Sequence, residues 1–161
     1  MQVKVTKLVP YDYVMKAANV CTGKNVQNLD PWKMYKAEHS LIYTQWFWVE
    51  VYDIEPYVHT HFRTHEKNGC QFFVSTSRKG QERHQKDSLN MAFICNASHL
   101  INMARKRLCG KADPQVRECM LDIRDRIFEI EPALSSAMVT NCSYRGKCYE
   151  LTPCFKGGDL E

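Results

Sequence analysis

The sequence predicts an α+β domain in which a central sheet packs against helices, and three stretches carry that expectation. Leu41 to Tyr52 is aromatic and β-branched, with Tyr43, Trp46, Phe47, Trp48, Val49 and Val51, a composition that favours a central strand buried on both faces. Gln2 to Val9 alternates, which sets Val3 and Val5 on one side of a first strand. Asp113 to Ile130 has the marks of a helix. Asp113 is an N-cap, Pro114 lies in the first turn, Val116, Met120, Ile123, Ile127 and Ile130 form one stripe, and Pro132 follows the end.

The intervening chain fills in the other elements. After Pro10, residues Tyr13, Val14, Ala17, Ala18 and Cys21 recur at helical spacing, and Thr22, Gly23 and Lys24 stop that helix. A polar loop through Asn28, Asp30 and Pro31 leads to a short helix over Trp32 to Ala37, before the polar trio Glu38, His39 and Ser40. Pro56 breaks the central strand. From Tyr57 to His65, a strand would put His59, His61, Arg63 and His65 on one side, whereas a helix would scatter them. A metal site, a solvated face and an anion or cofactor pocket all stay open there.

Phe72, Phe73 and Val74 lead into Ser75, Thr76, Ser77 and Arg78, where hydroxyls beside a guanidinium make either a phosphate cradle or a polar turn. Leu89 to Leu108 is predicted as one helix, with Asn96, Leu100, Met103 and Arg107 on a shared stripe. Polar groups on an inward stripe need partners, either a ligand or a neighbouring helix. Arg117 falls in the first turn of the following helix, where the dipole disfavours a cation; an anionic ligand nearby or a salt bridge to Asp113 or Glu118 would account for it.

Composition limits the functional classes. A chain of 161 residues, 44% hydrophobic, supports one domain with a real core. The net charge of +4 comes without a polybasic tail, so a stable complex with long nucleic acid is not expected, although local basic clusters suit a small anion. No apolar run approaches the roughly 20 residues of a membrane span, and the alternating N-terminus lacks an apolar signal core, so a cytoplasmic protein is expected. Eight cysteines then point to thiols, a metal site or buried apolar cysteines in preference to a disulfide framework. Cys142, Cys148 and Cys154 recur every six residues, without the closely paired ligands of common zinc modules. Gly157 and Gly158 mark a tail expected to fray. No phosphate-binding glycine loop occurs, and no Ser-His-Asp arrangement can be placed.

Several spacings resemble those of the flavin-dependent thymidylate synthases, particularly a short form. Asn96, Leu100, Asn102 and Arg107 fall on that family's steps, and Ala112 to Arg117 follows without a gap. Glu38-His39-Ser40 is similar to its element before a strand, His61 to Arg78 to its signature, and residues 141–150 to the cysteine-containing tail of short members. The resemblance runs from about Val3 to Cys154. It implies one α+β domain over residues 1–161, with residues 141–154 as the cysteine-containing tail, assembled as a homotetramer that shares active sites between subunits. It implies C5 methylation of dUMP, with FAD as hydride source, methylenetetrahydrofolate as one-carbon donor, and NADPH or another reductant.

The resemblance also assigns residues. Arg107 becomes the catalytic partner of the uracil ring. Thr76 takes the place of the serine that lies against the base, with Ser75 and Ser77 beside it, and Arg78 that of a phosphate ligand. His61 and Arg117 join the substrate side, and Ser40, His39, Arg63, His65, Asn96 and Asn102 the flavin side. No metal is implied. The chain departs from the family where Thr64-His65-Glu66 replaces an Arg-His-Arg core, with two extra residues before Arg78. A carboxylate about 6 Å from a pyrophosphate charge costs about 3 kcal/mol at an effective dielectric of about 20. Arg63 and Lys67 flank the change and supply compensating charge, and Arg83 stands in for an arginine the family has elsewhere. A dUMP hydroxymethylase, a non-catalytic nucleotide-binding protein and a zinc-stapled nucleic-acid protein are the competing readings.

Overall fold

Four antiparallel strands form one sheet in the order β1-β2-β4-β3. The structure, a computed structural model, describes residues 1–66, 69–84 and 86–154; Lys67 and the glycine tail lie outside the described residues. β1 spans Gln2–Lys7, β2 Trp46–Ile54, β3 Gln71–Val74 and β4 Leu89–Asn96. The helices are α1 Asp12–Thr22, α2 Pro31–Lys36, α3 Pro56–Arg63, α4 Ala97–Arg107, α5 Pro114–Ile130, α6 Pro132–Ala137 and α7 Asn141–Arg145, with a 3-10 turn over Ser40–Thr44. The α+β class expected from the sequence is therefore the observed one.

Local chemistry sets most boundaries. Asp-Pro begins both α2 and α5: the carboxylates of Asp30 and Asp113 accept from Trp32 N at 2.9 Å and Gln115 N at 3.0 Å, and proline occupies the first turn, where no helical donor is needed. Gly23 closes α1 at φ 63, a left-handed conformation that costs glycine little. Inward residues Phe47, Val49 and Val51 of β2 and Met91, Phe93 and Cys95 of β4 join Leu100, Met103, Met120, Ile123 and Ile127 of the helices in one core.

The structure corrects three expectations and decides one alternative that the sequence left open. β2 is buried on one face only, because Trp46, Trp48 and Glu50 alternate with the core residues, and Leu41–Thr44 is a 3-10 turn. The outer face carries Trp48, Ile94, Ala92 and Phe73; the Trp48 and Phe73 rings lie 5.6 Å apart, and Phe73 is 53% exposed. Tyr57 to His65 is not a strand. Pro56 starts α3, and Val58 and Phe62, four apart, bury its inner side, which separates the alternating basic residues. Leu89 to Leu108 is not one helix: Met91, Phe93 and Cys95 bury every second residue in β4, and the helix begins only after Asn96. Finally, Ile130 is exposed, and Cys119 takes the inward place on α5.

One irregularity aims α3. β2 and β4 pair in register up to Val51 and Met91, then slip so that Ile54 faces Leu89. Asp53, at φ 58, absorbs the extra residue, and its N–H donates to Asn90 Oδ1 at 3.1 Å. Phe62 on α3 thereby stacks with Phe93, centroids 6.3 Å apart.

Candidate functional site

The β4–α4 junction builds one wall of a basic cleft. Asn96 caps α4 reciprocally with His99: Asn96 Oδ1 accepts from His99 N at 3.1 Å, and His99 Nδ1 accepts from Asn96 N at 3.3 Å. This cap places Ser98, His99, Asn102, Lys106 and Arg107 along a cavity of about 730 Å³, closed on its other sides by Tyr43, Thr64, His65, Tyr144 and Arg145. A second cavity of about 470 Å³ shares Arg105, Lys106, Arg107, Asn141 and Arg145, and adds His61, Cys109 and Cys148. The two hollows meet at the end of α4.

Arg107 is the best-positioned cation of the cleft. Its Nη2 donates to the His61 carbonyl at 2.6 Å and to Thr64 Oγ1 at 2.7 Å, so one carbonyl and one hydroxyl at the end of α3 hold the guanidinium in place. Partial burial lowers its pKa, yet a guanidinium stays charged, and its buried Nε has no partner. Next to it lies His65, 5% exposed. Burial first, then Arg107, Lys106 and His99, push its pKa down to about 4, so the ring is neutral near pH 7, and its Nε2 also has no partner.

The neighbouring cations divide into two kinds. Arg105 is spent on the fold: it pairs with Glu38, donates to Asn102 Oδ1 at 3.2 Å and covers the Tyr144 ring at 3.6 Å, which fastens α7 to α4. Lys106, Arg107 and Arg145 have no carboxylate partner among the described residues. Three cations without a carboxylate in contact, around three orphaned nitrogens (Arg105 Nε, Arg107 Nε and His65 Nε2), suit an anion carrying several oxygens, such as a phosphate or a polarised carbonyl, although Asp113 and Glu150 also line the second hollow.

Of the residues singled out in the sequence, His61, His65, Asn102 and Arg107 come together here. Asn96 lines neither cavity and acts as the cap of α4. The others lie elsewhere. His39 faces a separate hollow beside α1 and α2, and Ser40 is an exposed residue at the head of the 3-10 turn. Arg63 is exposed and pairs with Glu66 at 3.1 Å, so that carboxylate is neutralised beside the cleft. Arg117 forms neither expected salt bridge among the described residues; its Nε donates to the Leu108 carbonyl at 3.3 Å, closing the end of α4.

Ser75 to Arg78 forms a turn of its own. Ser75 Oγ accepts from Arg83 Nη1 at 2.6 Å and from Asn90 N at 3.0 Å, and Ser77 Oγ accepts from Arg83 N at 3.0 Å. Arg83 thus organises the loop, while Thr76 and Arg78 stay exposed. Ser75 sits beside Asn90, six residues or roughly 20 Å along β4 from Asn96. Lys106, His99 and Arg145 were missed in the sequence. The consecutive basic run Arg105-Lys106-Arg107 held a signal for the first; the other two depend on the cap and on where the tail docks. Among the described residues, no three His, Cys, Asp or Glu side chains are placed to hold a metal ion. No helix there is long and apolar enough to cross a membrane.

Sequence comparison finds no matching family model and no curated protein. Structural comparison gives a different answer. Thymidylate synthase X from Helicobacter pylori, solved with FAD and dUMP, superposes with a TM-score of 0.70 over 86% of this chain and 99% of its own, at 11% identity. The fold is that of thymidylate synthase X. A second structure of the Helicobacter pylori enzyme with FAD and dUMP gives 0.70 at 12% identity, covering 87% of this chain and all of that one. The UMP/dUMP methylase PolB from Streptomyces cacaoi, bound with 5-Br dUMP, gives 0.65 at 12% identity over 86% of this chain and 97% of its own. The thymidylate synthase X fold is therefore shared across nearly the whole length of these enzymes, at 11–12% sequence identity.

Proposed function

We propose that this chain is a dUMP-modifying flavoprotein that methylates uracil at C5, giving dTMP. The observation that carries the reading is the uncompensated cation cluster of the cleft, with half-buried Arg107 locked by the His61 carbonyl and Thr64. An arginine fixed in that way polarises a uracil carbonyl without reorganising, which is the electrostatic contribution the reaction needs. The donor set also fits a nucleotide cofactor: His65 Nε2 and Arg107 Nε are buried without protein partners, and Lys106 and Arg145 offer charge to phosphate oxygens. His65 and Asn102 would hold FAD, which supplies the hydride when bound. Methylenetetrahydrofolate is the one-carbon donor of this reading, and NADPH or another reductant restores the flavin.

The active site is shared between subunits of a homotetramer. In support, the phosphate-binding candidates Ser75, Thr76, Ser77 and Arg78 do not line the cleft of their own chain. Trp48, Ile94 and Phe73 leave an apolar sheet face uncovered, as a subunit contact would require. Mixing Arg107→Ala with Arg78→Ala protein should restore part of the activity that each lacks alone.

The first test is the visible absorption spectrum of the protein with FAD, before and after dUMP. A flavin band perturbed by dUMP supports the reading, and Arg107→Ala should then abolish turnover with the fold intact; near-normal turnover would remove Arg107 from its role. Product mass separates dTMP from hydroxymethyl-dUMP, the alternative on the same scaffold. Binding of dUMP without any flavin binding would instead favour a non-catalytic nucleotide-binding protein, a reading that the replaced Arg-His-Arg core keeps open.

A further inference from the structure

Eight cysteines fall into different environments, and one group stands apart. Cys70, just before β3, and Cys95 on β4 face each other, but both are fully buried, and Cys119 is equally dry. Burial first, then Asp122 and Glu118, push Cys119 up to about 12, which leaves almost no thiolate to react. Cys109, Cys148 and Cys154 are different. Cys109 follows α4 and lines the cavity shared with Arg107, and Cys148 lines the same wall from the tail. Cys154 is exposed, and its Sγ packs 3.5 Å from where a side-chain carbon on Gly110 would stand, beside Cys109. Two segments distant in sequence thus bring these three thiols together; Cys142 lines the same cavity, with its Sγ 3.0 Å from Thr140 Oγ1.

We infer that Cys109 and Cys154 form a reversible intramolecular disulfide when the protein meets a peroxide, tethering residues 146–154 across the mouth of the cleft. The chemistry balances with hydrogen peroxide as oxidant. One thiolate attacks a peroxide oxygen, giving a sulfenic acid and releasing hydroxide, which takes up a proton to become water. The second thiolate then attacks the sulfenic sulfur, the S–S bond forms, and the sulfenic oxygen leaves as water. Two thiols and one peroxide yield one disulfide and two waters. Gly146 turns the tail at φ 76, and Tyr149 rests between Arg145 and Lys147 at 5.5 and 4.9 Å. A covalent link would restrict a segment that is mostly exposed to solvent. Cys154 is held above the ordinary thiol value, by partial desolvation first and then by Cys109 and Cys148, against Lys111, so bridging should quicken as pH rises.

The test uses the full chain under native conditions: equimolar hydrogen peroxide, alkylation of remaining thiols, digestion and peptide mass mapping. The expected product is a Cys109–Cys154 linked peptide, two hydrogens lighter than the reduced pair and lost on adding dithiothreitol, with Cys70, Cys95 and Cys119 still alkylatable after unfolding. Protease cleavage within residues 146–154 should slow several-fold and recover with reductant. Cys109→Ser and Cys154→Ser should abolish both effects, and Cys148→Ser should spare them. Singly oxidised Cys109 and Cys154 without a link, a link only between separate molecules, or an equal yield from chain oxidised in denaturant would overturn the inference. None of these readouts depends on flavin, dUMP or turnover, so their failure leaves the proposed reaction untouched.

Discussion

Two partly dry places in this fold hold charge, and they treat it in opposite ways. Under β1, Lys7 and Glu131 form a direct ion pair between the first strand and the start of α6, with both side chains mostly shielded. In the cleft, Arg107 meets only a carbonyl and a hydroxyl, and Lys106 and Arg145 meet no carboxylate among the described residues. Charge that is matched within the chain holds elements together. Charge left unmatched beside a cavity is available to a ligand, and its stability cost is the reason it marks a site.

The sharpest way to break this contrast is to remove one charge from each place. Glu131→Gln leaves Lys7 shielded and unpaired and should lower stability by about 3 kcal/mol, roughly 10 °C in the thermal midpoint, without changing ligand binding. Arg107→Ala should do the reverse, with a shift of no more than about 1 kcal/mol in denaturant titration. If the two variants destabilise equally, the distinction fails.

Acid should separate the regions next. His65 has its folded pKa lowered to about 4 against an ordinary value near 6.5, so between those values the unfolded chain binds the extra proton. Its contribution is therefore fully present above pH 6.5 and is lost as pH falls from 6.5 towards 4, by at most about 3 kcal/mol. Thermal melts of His65→Gln across that window should show a flatter pH dependence than the parent, and identical slopes would mean the imidazole is not held neutral.

The smallest effect concerns Asn96, a cap that the family resemblance makes a flavin contact. Asn96→Ala should cost about 1 kcal/mol through the lost cap, whereas Asn96→Asp keeps an accepting oxygen and should stay within about 0.5 kcal/mol of the parent. Flavin titration of the Asp variant then isolates the amide, because the helix start is preserved.

The two regions were also unequally legible in sequence. Elements whose ends carry their own chemistry, Asp30-Pro31, Asp113-Pro114 and Gly23, were placed closely, because caps and turns are local. The β4–α4 segment was misread because Asn96, Leu100, Met103 and Arg107 satisfy a helical period, although burial at Met91, Phe93 and Cys95 follows a period of two up to Asn96. Arg107 and His65 were nominated by spacing, but their neighbours depend on α3 running back beneath the sheet and on α7 docking through Arg105 and Tyr144. Such long-range placement leaves no periodic trace. The serine loop was equally visible as a string of hydroxyls, and only the fold distinguishes a turn organised by Arg83 from a cradle in its own cleft.

The slip between Val51 and Ile54 carries a consequence for how this chain tolerates changes in length. Because side chains alternate along a strand, losing the extra residue at Asp53 would turn α3 over, sending Val58 and Phe62 towards water and withdrawing the His61 carbonyl from Arg107. The hairpin between Ser75 and Leu89 has no such constraint, since residues added at its tip leave both strands in register. Insertions and deletions should therefore accumulate in that hairpin across a lineage, while the stretch from Val51 to Ile54 keeps a fixed count.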